Sequence, residues 1–211
     1  MTDKEKKIER YREANKSILY GKTVFTGSSL MEMFPINKLL EENGNDTIIY
    51  NRAVGGFVSA ELLETLDVCV LELKPARVFM NIGTNDLSDP CISILQLMEC
   101  YDKILTKIET ELPETEIYLM AYYPVNYEAA VEELKACLRV RTNEKIMQAN
   151  AEVEKLAGKH GQKYIDINEK LKDSQGRLKA EYTLEGLHIN EEGYRAVYED
   201  IMAYVKEPGW K

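Results

Sequence analysis

The sequence contains no long uncharged apolar run, and it has only two histidines among its 211 residues. A helix that crosses a membrane needs roughly 20 consecutive apolar residues, so we expect no membrane span. The first 22 residues, MTDKEKKIERYREANKSILYGK, are charged throughout. They lack the apolar stretch of a secretory signal peptide. We therefore expect a cytoplasmic protein that does not act at a membrane.

Positive charge is also scarce. Lys and Arg number 27 against 36 Asp and Glu, which gives a formal net charge of -9 at pH 7. Surfaces that bind nucleic acid or anionic lipid need clustered Lys and Arg, so we expect neither partner. Hydrophobic residues make up 45% of the chain and charged residues 30%, a composition typical of a globular domain rather than a disordered chain.

The four cysteines form no Cys-x-x-C pair, and no histidine lies close to one in the sequence. Zinc sites use closely spaced Cys and His ligands, so we expect no metal and no other cofactor. Cys69, Cys91, Cys100 and Cys137 lie in apolar segments with helical patterning. We interpret them as small buried thiols that form no disulfides.

Short β-branched or aromatic runs alternate with longer helical patterns. The runs predict strands, each bounded by Gly, Pro, Asn or Asp, at 22–26, 46–51, 76–81, 115–123 and 164–167. The helical patterns predict helices at 60–73, at 91–111, over 127–159 in two parts with a break near Arg141-Thr142, and from Asn190 to about 206.

This alternation implies a parallel sheet with helices on both faces. We predict one α/β domain over residues 1–211, a doubly wound three-layer α/β/α fold of five parallel strands, as in flavodoxin-like proteins. Residues 1–20 are predicted to form a charged helical extension. Ligands in this class bind at the carboxyl ends of the strands, so the loops that follow strands hold the candidate chemistry.

Two of these loops follow the first and second strands. Ser29 could display a nucleophilic hydroxyl beside free backbone N–H groups at a helix start, or Ser28 or Ser29 could simply cap that helix. Gly55 and Gly56 could offer backbone N–H groups to an anion, or they could form a plain turn.

Two further candidates lie later in the chain. Asn85 could donate its amide to a developing oxyanion or form an Asx-turn. His188 has a carboxylate, Glu185, three residues upstream. This spacing suits a carboxylate that accepts from Nδ1 while Nε2 acts as a base, although a lone histidine here could be structural. His160, at a predicted helix end, fits a surface or capping role.

Together these segments resemble the GDSL, or SGNH, hydrolase family, whose four motif blocks occur in this order. The resemblance covers roughly residues 22–205, and its most specific part is GLHINEEGY at 186–194. It implies a serine esterase or acylhydrolase in which Ser29 is the nucleophile and His188 the general base. The backbone N–H groups of Ser29 and Gly56, with the Asn85 side chain, would form the oxyanion hole.

The sequence departs from the family pattern at two positions. Ser28 stands where the family usually has Asp, which we expect to change a hydrogen bond in the loop rather than the chemistry. Glu185 stands where the acid three residues before the histidine is usually Asp. We expect its longer side chain still to reach His188, as the third member of a triad.

The substrate is less well defined. Short loops predict an accessible site for short acyl esters such as acetylated sugars, with Phe57, Met31 and Tyr122 lining an apolar acyl pocket. A lysophospholipase or thioesterase is an alternative within the family, and the sequence does not separate hydrolysis from acyl transfer. We expect a small-molecule ester as partner, and a homo-oligomer is compatible with the charged N-terminal segment.

Two different classes of protein also fit some of the pattern. A flavodoxin-like binder would hold a phosphate at Thr26 to Ser29, but His188 would then have no role. The chain could also be a non-catalytic relative that binds carbohydrate. Ser28 and Glu185, which depart from the family pattern, would then be signs that catalysis has been lost.

Overall fold

The computed structural model describes residues 1–210 and is built around a parallel sheet with the strand order β2-β1-β3-β4-β5. Its five strands are β1 (Thr23–Gly27), β2 (Ile49–Asn51), β3 (Arg77–Asn81), β4 (Glu116–Met120) and β5 (Lys163–Ile165). Every neighbouring pair is parallel. This is the strand order of flavodoxin-like doubly wound sheets, so the predicted fold class is confirmed.

Helices cover both faces of the sheet. Within residues 1–210 the α-helices are α1 (Asp3–Asn15), α2 (Ser29–Glu32), α3 (Ile36–Glu42), α4 (Ser59–Glu64), α5 (Leu66–Cys69), α6 (Ile94–Glu111), α7 (Glu132–Val140), α8 (Asn143–Lys159) and α9 (Glu191–Lys206). Short 3-10 turns lie at Leu71–Leu73, Asp86–Ser88, Glu169–Leu171 and Ala180–Tyr182.

Alternate residues of the central strands are buried in two separate cores, one on each face of the sheet. Val78 and Ile117 pack with residues of α1, α4, α5, α6 and α8. Phe79 and Tyr118 point to the other face, where they stack with ring centroids 4.3 Å apart and join residues of α2, α3 and α9. Because successive strand residues face opposite sides, these apolar runs require a cover of helices on both faces.

Side-chain caps fix where several helices begin. Ser93 accepts from the N–H of Gln96 at the start of α6, Thr142 from Lys145 at the start of α8, and Asn190 from Gly193 at the start of α9. Such caps satisfy N–H groups that have no partner inside the helix. The predicted break near Arg141-Thr142 and the predicted start of the last helix both occur in the structure.

The single helix predicted over 60–73 is wrong. The segment is broken into α4, α5 and a 3-10 turn, with non-helical backbone angles at Thr65 and Val70. The Thr65 hydroxyl donates to the Glu61 carbonyl at 2.7 Å, a local bond that competes with regular helix geometry. Leu66, Val68 and Cys69 are all buried, and a straight amphipathic helix would not bury residues around its whole circumference.

The strand predicted over 115–123 is also too long, since β4 ends at Met120. The N–H of Tyr122 donates to the Asn150 side chain at 2.7 Å instead of continuing the ladder.

The interpretation of the cysteines as uniformly buried is wrong as well. Cys69 is buried, whereas Cys91 is exposed in the turn before α6.

Within residues 1–210, no helix combines the length and the apolar character that a bilayer crossing requires.

Gly27 ends β1 at a point where the chain passes very close to β3. Its φ is +143°, and a Cβ built on it would lie 2.0 Å from the backbone oxygen of Asn81. A backbone atom of a paired strand cannot move aside cheaply, so only glycine fits here. The turn that leads into α2 therefore depends on this residue.

We predict that Gly27→Ala lowers the free energy of unfolding by about 3 kcal/mol or more, because it adds a backbone clash to an unfavourable φ. Chemical denaturation of the purified variant measures this. Gly44→Ala is the matched control, since Gly44 also has a positive φ, +59°, but has nothing within 4 Å of its added Cβ. It should cost only about 1–2 kcal/mol, and equal losses in the two variants would contradict the account.

Candidate active site

The candidate residues meet at the carboxyl edge of the sheet. Ser29 follows β1, Gly56 follows β2, Asn85 follows β3, and His188 lies in the loop before α9. The chain passes from β1 outward to β2 and then back across β1 to β3. The crevice between β1 and β3 is thus the topological switch point at which such sheets bind ligands.

Ser29 is the first residue of α2, and its hydroxyl faces His188. The distance between Ser29 Oγ and His188 Nε2 is 2.9 Å. The preceding Ser28 occupies the N-cap position, but its side chain makes no capping bond. Ser28 Oγ is buried and has no hydrogen-bond partner among the described residues. Neither serine caps the helix through its side chain, and Ser29 keeps its hydroxyl for the histidine.

Glu185 holds the other side of the imidazole. Its Oε1 is hydrogen-bonded to His188 Nδ1 and also accepts from the His188 backbone N–H at 3.3 Å. A carboxylate only accepts hydrogen bonds, so Nδ1 carries the proton and Nε2 is left as the acceptor for the Ser29 hydroxyl. The second carboxylate oxygen, Oε2, is buried and has no protein partner within residues 1–210.

The loop that carries His188 is tied to itself. The N–H of Leu184 and the hydroxyl of Thr183 both donate to the His188 carbonyl at 2.9 Å, and the N–H of Gly186 donates to the Thr183 hydroxyl at 2.8 Å. These bonds hold Glu185 and His188 in one rigid turn. The longer acid therefore reaches its histidine inside a loop of fixed shape.

Two backbone N–H groups beside Ser29 are free. Among the described residues, neither Ser29 N–H nor Gly56 N–H donates to a protein acceptor. Gly56 is exposed and has a φ of +76°, a conformation that glycine adopts without strain. The neighbouring Gly55 N–H is already used, because it donates to the Glu32 carboxylate.

The side chain of Asn85 is oriented by two fixed partners. Its Nδ2 donates to the Phe57 carbonyl at 2.9 Å, and its Oδ1 accepts from the Arg141 guanidinium, also at 2.9 Å. Phe57 follows Gly56 directly, so this amide joins the loop after β3 to the loop after β2. One N–H of the Asn85 amide remains for a ligand, since the amide nitrogen carries two.

The N-terminal helix α1 also contacts the Gly55-Gly56 loop. Lys4 Nζ donates to the Gly56 carbonyl at 2.9 Å and pairs with Glu61 at 2.7 Å. Lys7 forms an ion pair with Glu32, the residue that accepts from Gly55 N–H. Sequence reasoning missed this support, because nothing in the charged N-terminal segment indicates which loop it contacts.

The three residues that the sequence predicts to line an acyl pocket are almost completely buried, and their contact with an acyl group stays a prediction. Met31, Tyr122 and Phe57 are 0%, 1% and 2% exposed. The Tyr122 hydroxyl donates to the Ile82 carbonyl at 2.8 Å, and burial raises the pKa of Tyr122 well above its usual value. Met31 belongs to the core on one face of the sheet, whereas Phe57 and Tyr122 belong to the core on the other face.

A cavity of about 1010 Å³ lies between α1 and α4 and is lined in part by Phe57 and Glu61, but not by Ser29, Asn85 or His188. Within residues 1–210, no three His, Cys, Asp or Glu side chains are grouped closely enough to hold a metal ion. Ser29 and His188 are half-buried, so both keep some exposure to solvent.

Comparison with known proteins gives a clear result. The family model described as GDSL-like Lipase/Acylhydrolase matches residues 26–196. Among curated proteins, the chain is 26% identical over 186 residues to an N-acylneuraminate cytidylyltransferase of Escherichia coli. That match takes in 85% of this chain but only 39% of the curated protein, so the chain spans about two fifths of that relative's length.

Several solved structures share the fold. A Streptococcus pneumoniae protein, provisionally described as a platelet activating factor, is 31% identical, with 96% of this chain and 92% of that chain covered at a TM-score of 0.85. A GDSL-like lipase from Bacteroides thetaiotaomicron is 20% identical, with 94% and 97% covered at a TM-score of 0.77. An acetyl-xylooligosaccharide esterase from Geobacillus is 13% identical, with 89% and 95% covered at 0.68.

The contact between Glu185 and His188 leads to a prediction about the reactivity of Ser29. We predict that Glu185→Gln slows labelling of Ser29 by a fluorophosphonate probe by about 100-fold or more. The substitution removes the negative charge that stabilises the imidazolium. The NH₂ of the new amide can also donate to His188 Nδ1, which favours the tautomer protonated at Nε2, and that tautomer cannot accept the Ser29 proton. Time-resolved intact-mass spectrometry measures the labelling rate.

Glu181→Gln is the matched control, because Glu181 is an exposed carboxylate only four residues earlier. It should label at the wild-type rate. If Glu185→Gln also labelled at that rate while remaining folded, Glu185 would not be orienting His188.

Proposed function

We propose that this chain, which belongs to the GDSL-like lipase/acylhydrolase family, is a carboxylic ester hydrolase that cleaves O-acyl esters of short acyl groups through an acyl-enzyme on Ser29. Acetyl groups on carbohydrate are the favoured substrates. The observation that carries the proposal is the chain of contacts from Ser29 Oγ to His188 Nε2 at 2.9 Å and from His188 Nδ1 to Glu185.

The first step is the attack of Ser29 on the ester. Oγ forms a bond to the carbonyl carbon as His188 Nε2 removes the hydroxyl proton. The imidazolium that results is stabilised by the Glu185 carboxylate at Nδ1. Since Nε2 already accepts from the hydroxyl at hydrogen-bond distance, the proton transfer needs no rearrangement.

The oxyanion of the tetrahedral intermediate requires donors that are in place beforehand. The free N–H groups of Ser29 and Gly56 and the second N–H of the Asn85 amide supply them. Each comes from the end of a different strand, and the Asn85–Phe57 bond ties two of the three loops together. Donors held this way do not have to reorganise when the negative charge develops.

The second half of the reaction repeats the first with water. The tetrahedral intermediate collapses, the bond to the alcohol oxygen breaks, and His188 returns its proton to that oxygen. Water then loses a proton to Nε2 and attacks the acyl carbon, and the acid leaves as Ser29 regains its proton. Both halves pass through an oxyanion at the same donors.

The shape of the site supports a short acyl group. Met31, Phe57 and Tyr122 are almost completely buried, which supports a substrate whose acyl group is short and stays near the surface. Beside the His188 loop, Leu184 and Val131 are 58% and 43% exposed. The N–H of Val131 donates to the Glu185 carbonyl at 3.3 Å, which places these apolar groups at the rim, where they could contact the alcohol part of a substrate.

We predict that the enzyme hydrolyses p-nitrophenyl acetate and that kcat/KM falls at least tenfold between the butyrate and octanoate esters. Ser29→Ala should lower kcat/KM by about 10³-fold or more, because the acyl-enzyme cannot form. Ser28→Ala is the matched control and should keep most of the activity, since Ser28 is the neighbouring serine and its hydroxyl has no hydrogen-bond partner among the described residues. Release of p-nitrophenol measures each rate.

Full activity in Ser29→Ala would refute the acyl-enzyme on Ser29. A rate that rises with chain length would refute the short acyl group.

A further inference from the structure

Arg141 is a buried cation whose position is not accounted for by the motifs of the site. Only 3% of its surface is exposed. Its guanidinium donates through Nε to Ser88 Oγ at 2.7 Å and through Nη2 to Asn85 Oδ1 at 2.9 Å. Both partners are neutral, and burial lowers the pKa of Arg141 below its usual value. A buried charge without a contacting carboxylate is costly, which points to a role beyond packing.

The surroundings hold this guanidinium in place. Arg141 ends α7, with its backbone N–H on the Cys137 carbonyl, and Thr142 caps α8 immediately afterwards. Lys145, in the first turn of α8, donates to the Leu87 carbonyl at 2.8 Å, so the junction between the two helices is attached to the loop after β3. The nearby Asp86 acts on Arg141 only through space, because its carboxylate is engaged by the backbone N–H and hydroxyl of Ser59.

The contacts determine how the Asn85 amide is turned. A guanidinium has only donors, so the amide atom that faces Arg141 must be the oxygen. A carbonyl has only acceptors, so the atom that faces Phe57 must be the nitrogen. The amide cannot flip without losing both bonds, and its free N–H is therefore fixed in direction.

The charge has a second effect on the same amide. A cation bonded to Oδ1 draws electron density from the amide, and hydrogen bonds in such a chain polarise one another. The N–H groups on Nδ2 become stronger donors as a result. A negative charge that develops beside Nδ2 also gains from a fixed cation close behind the amide in a poorly hydrated site.

We propose that Arg141 is a positioning residue for the oxyanion donor: it fixes the orientation of the Asn85 amide and strengthens its N–H toward the transition state. The inference rests on the proposed function, since it gives Asn85 its role in that reaction. Arg141 itself touches no reacting atom.

A double-mutant cycle with p-nitrophenyl acetate tests this inference. Arg141→Met should lower kcat about 10- to 100-fold, as expected for loss of a hydrogen bond to a charged group, with KM changed less than about threefold. Asn85→Ala should lower kcat about 100- to 1000-fold. In the Asn85→Ala background, Arg141→Met should cost less than about twofold more, because Arg141 acts through Asn85.

Two further variants guard against a purely structural effect. Arg139→Met is the matched control: Arg139 lies on the same helix but is exposed, with its guanidinium on Tyr127, and this variant should keep wild-type kcat. Arg141→Lys retains the charge but cannot match the fork that reaches Ser88 and Asn85 together. The kcat of Arg141→Lys should lie between those of wild type and Arg141→Met. If Arg141→Met does not fold, Arg141→Lys replaces it in the double-mutant cycle with Asn85→Ala.

The outcomes separate this inference from the proposed function. Near-normal kcat in Arg141→Met, or losses that multiply with those of Asn85→Ala, would overturn the role of Arg141 in an enzyme that Ser29→Ala still inactivates. Full activity of Ser29→Ala would instead refute the proposed function, and this inference with it.

Discussion

The pairing of β1 with β3 is the contact on which the candidate site depends, because it sets two loops side by side at the centre of the sheet. Gly27 at the end of β1 lies opposite Asn81 at the end of β3, and it does so at a separation that leaves no room for a side chain. Ser29 and Asn85 each follow within four residues of these strand ends. The proposed nucleophile and the proposed amide donor thus take their relative position from the backbone, before any side chain contributes.

Around this fixed pair, the remaining groups are held by contacts from distant parts of the chain. Lys4 in α1 bonds the Gly56 carbonyl, Arg141 at the α7–α8 junction bonds the Asn85 amide, and the turn before α9 brings His188 to Ser29. Each group with a proposed chemical role therefore has a second group that orients it. Such support gives a site its precision, since a small misplacement of a donor costs much of its effect in the transition state.

The sequence was informative where the information is local or periodic. The parallel sheet and the two-sided core follow from short apolar runs between helices, and the family was recognisable from four motif blocks, of which GLHINEEGY is the most specific. The burial of individual side chains and the contacts between residues far apart in the sequence could not be predicted from such patterns. Met31, Phe57 and Tyr122 follow the carboxyl ends of strands, but only packing determines that they are buried. Arg141 carried no signal beyond a helix break, because its partners lie more than 50 residues away.

The central claim is that Ser29, Gly56 and Asn85 converge on one oxyanion, and a crystal structure of the enzyme inactivated by a small alkyl fluorophosphonate tests it most directly. The claim predicts phosphorus bonded to Ser29 Oγ, with one phosphonyl oxygen about 2.7–3.1 Å from the backbone nitrogens of Ser29 and Gly56 and from Asn85 Nδ2. A phosphonyl oxygen that pointed to solvent, or an adduct on another residue, would contradict it.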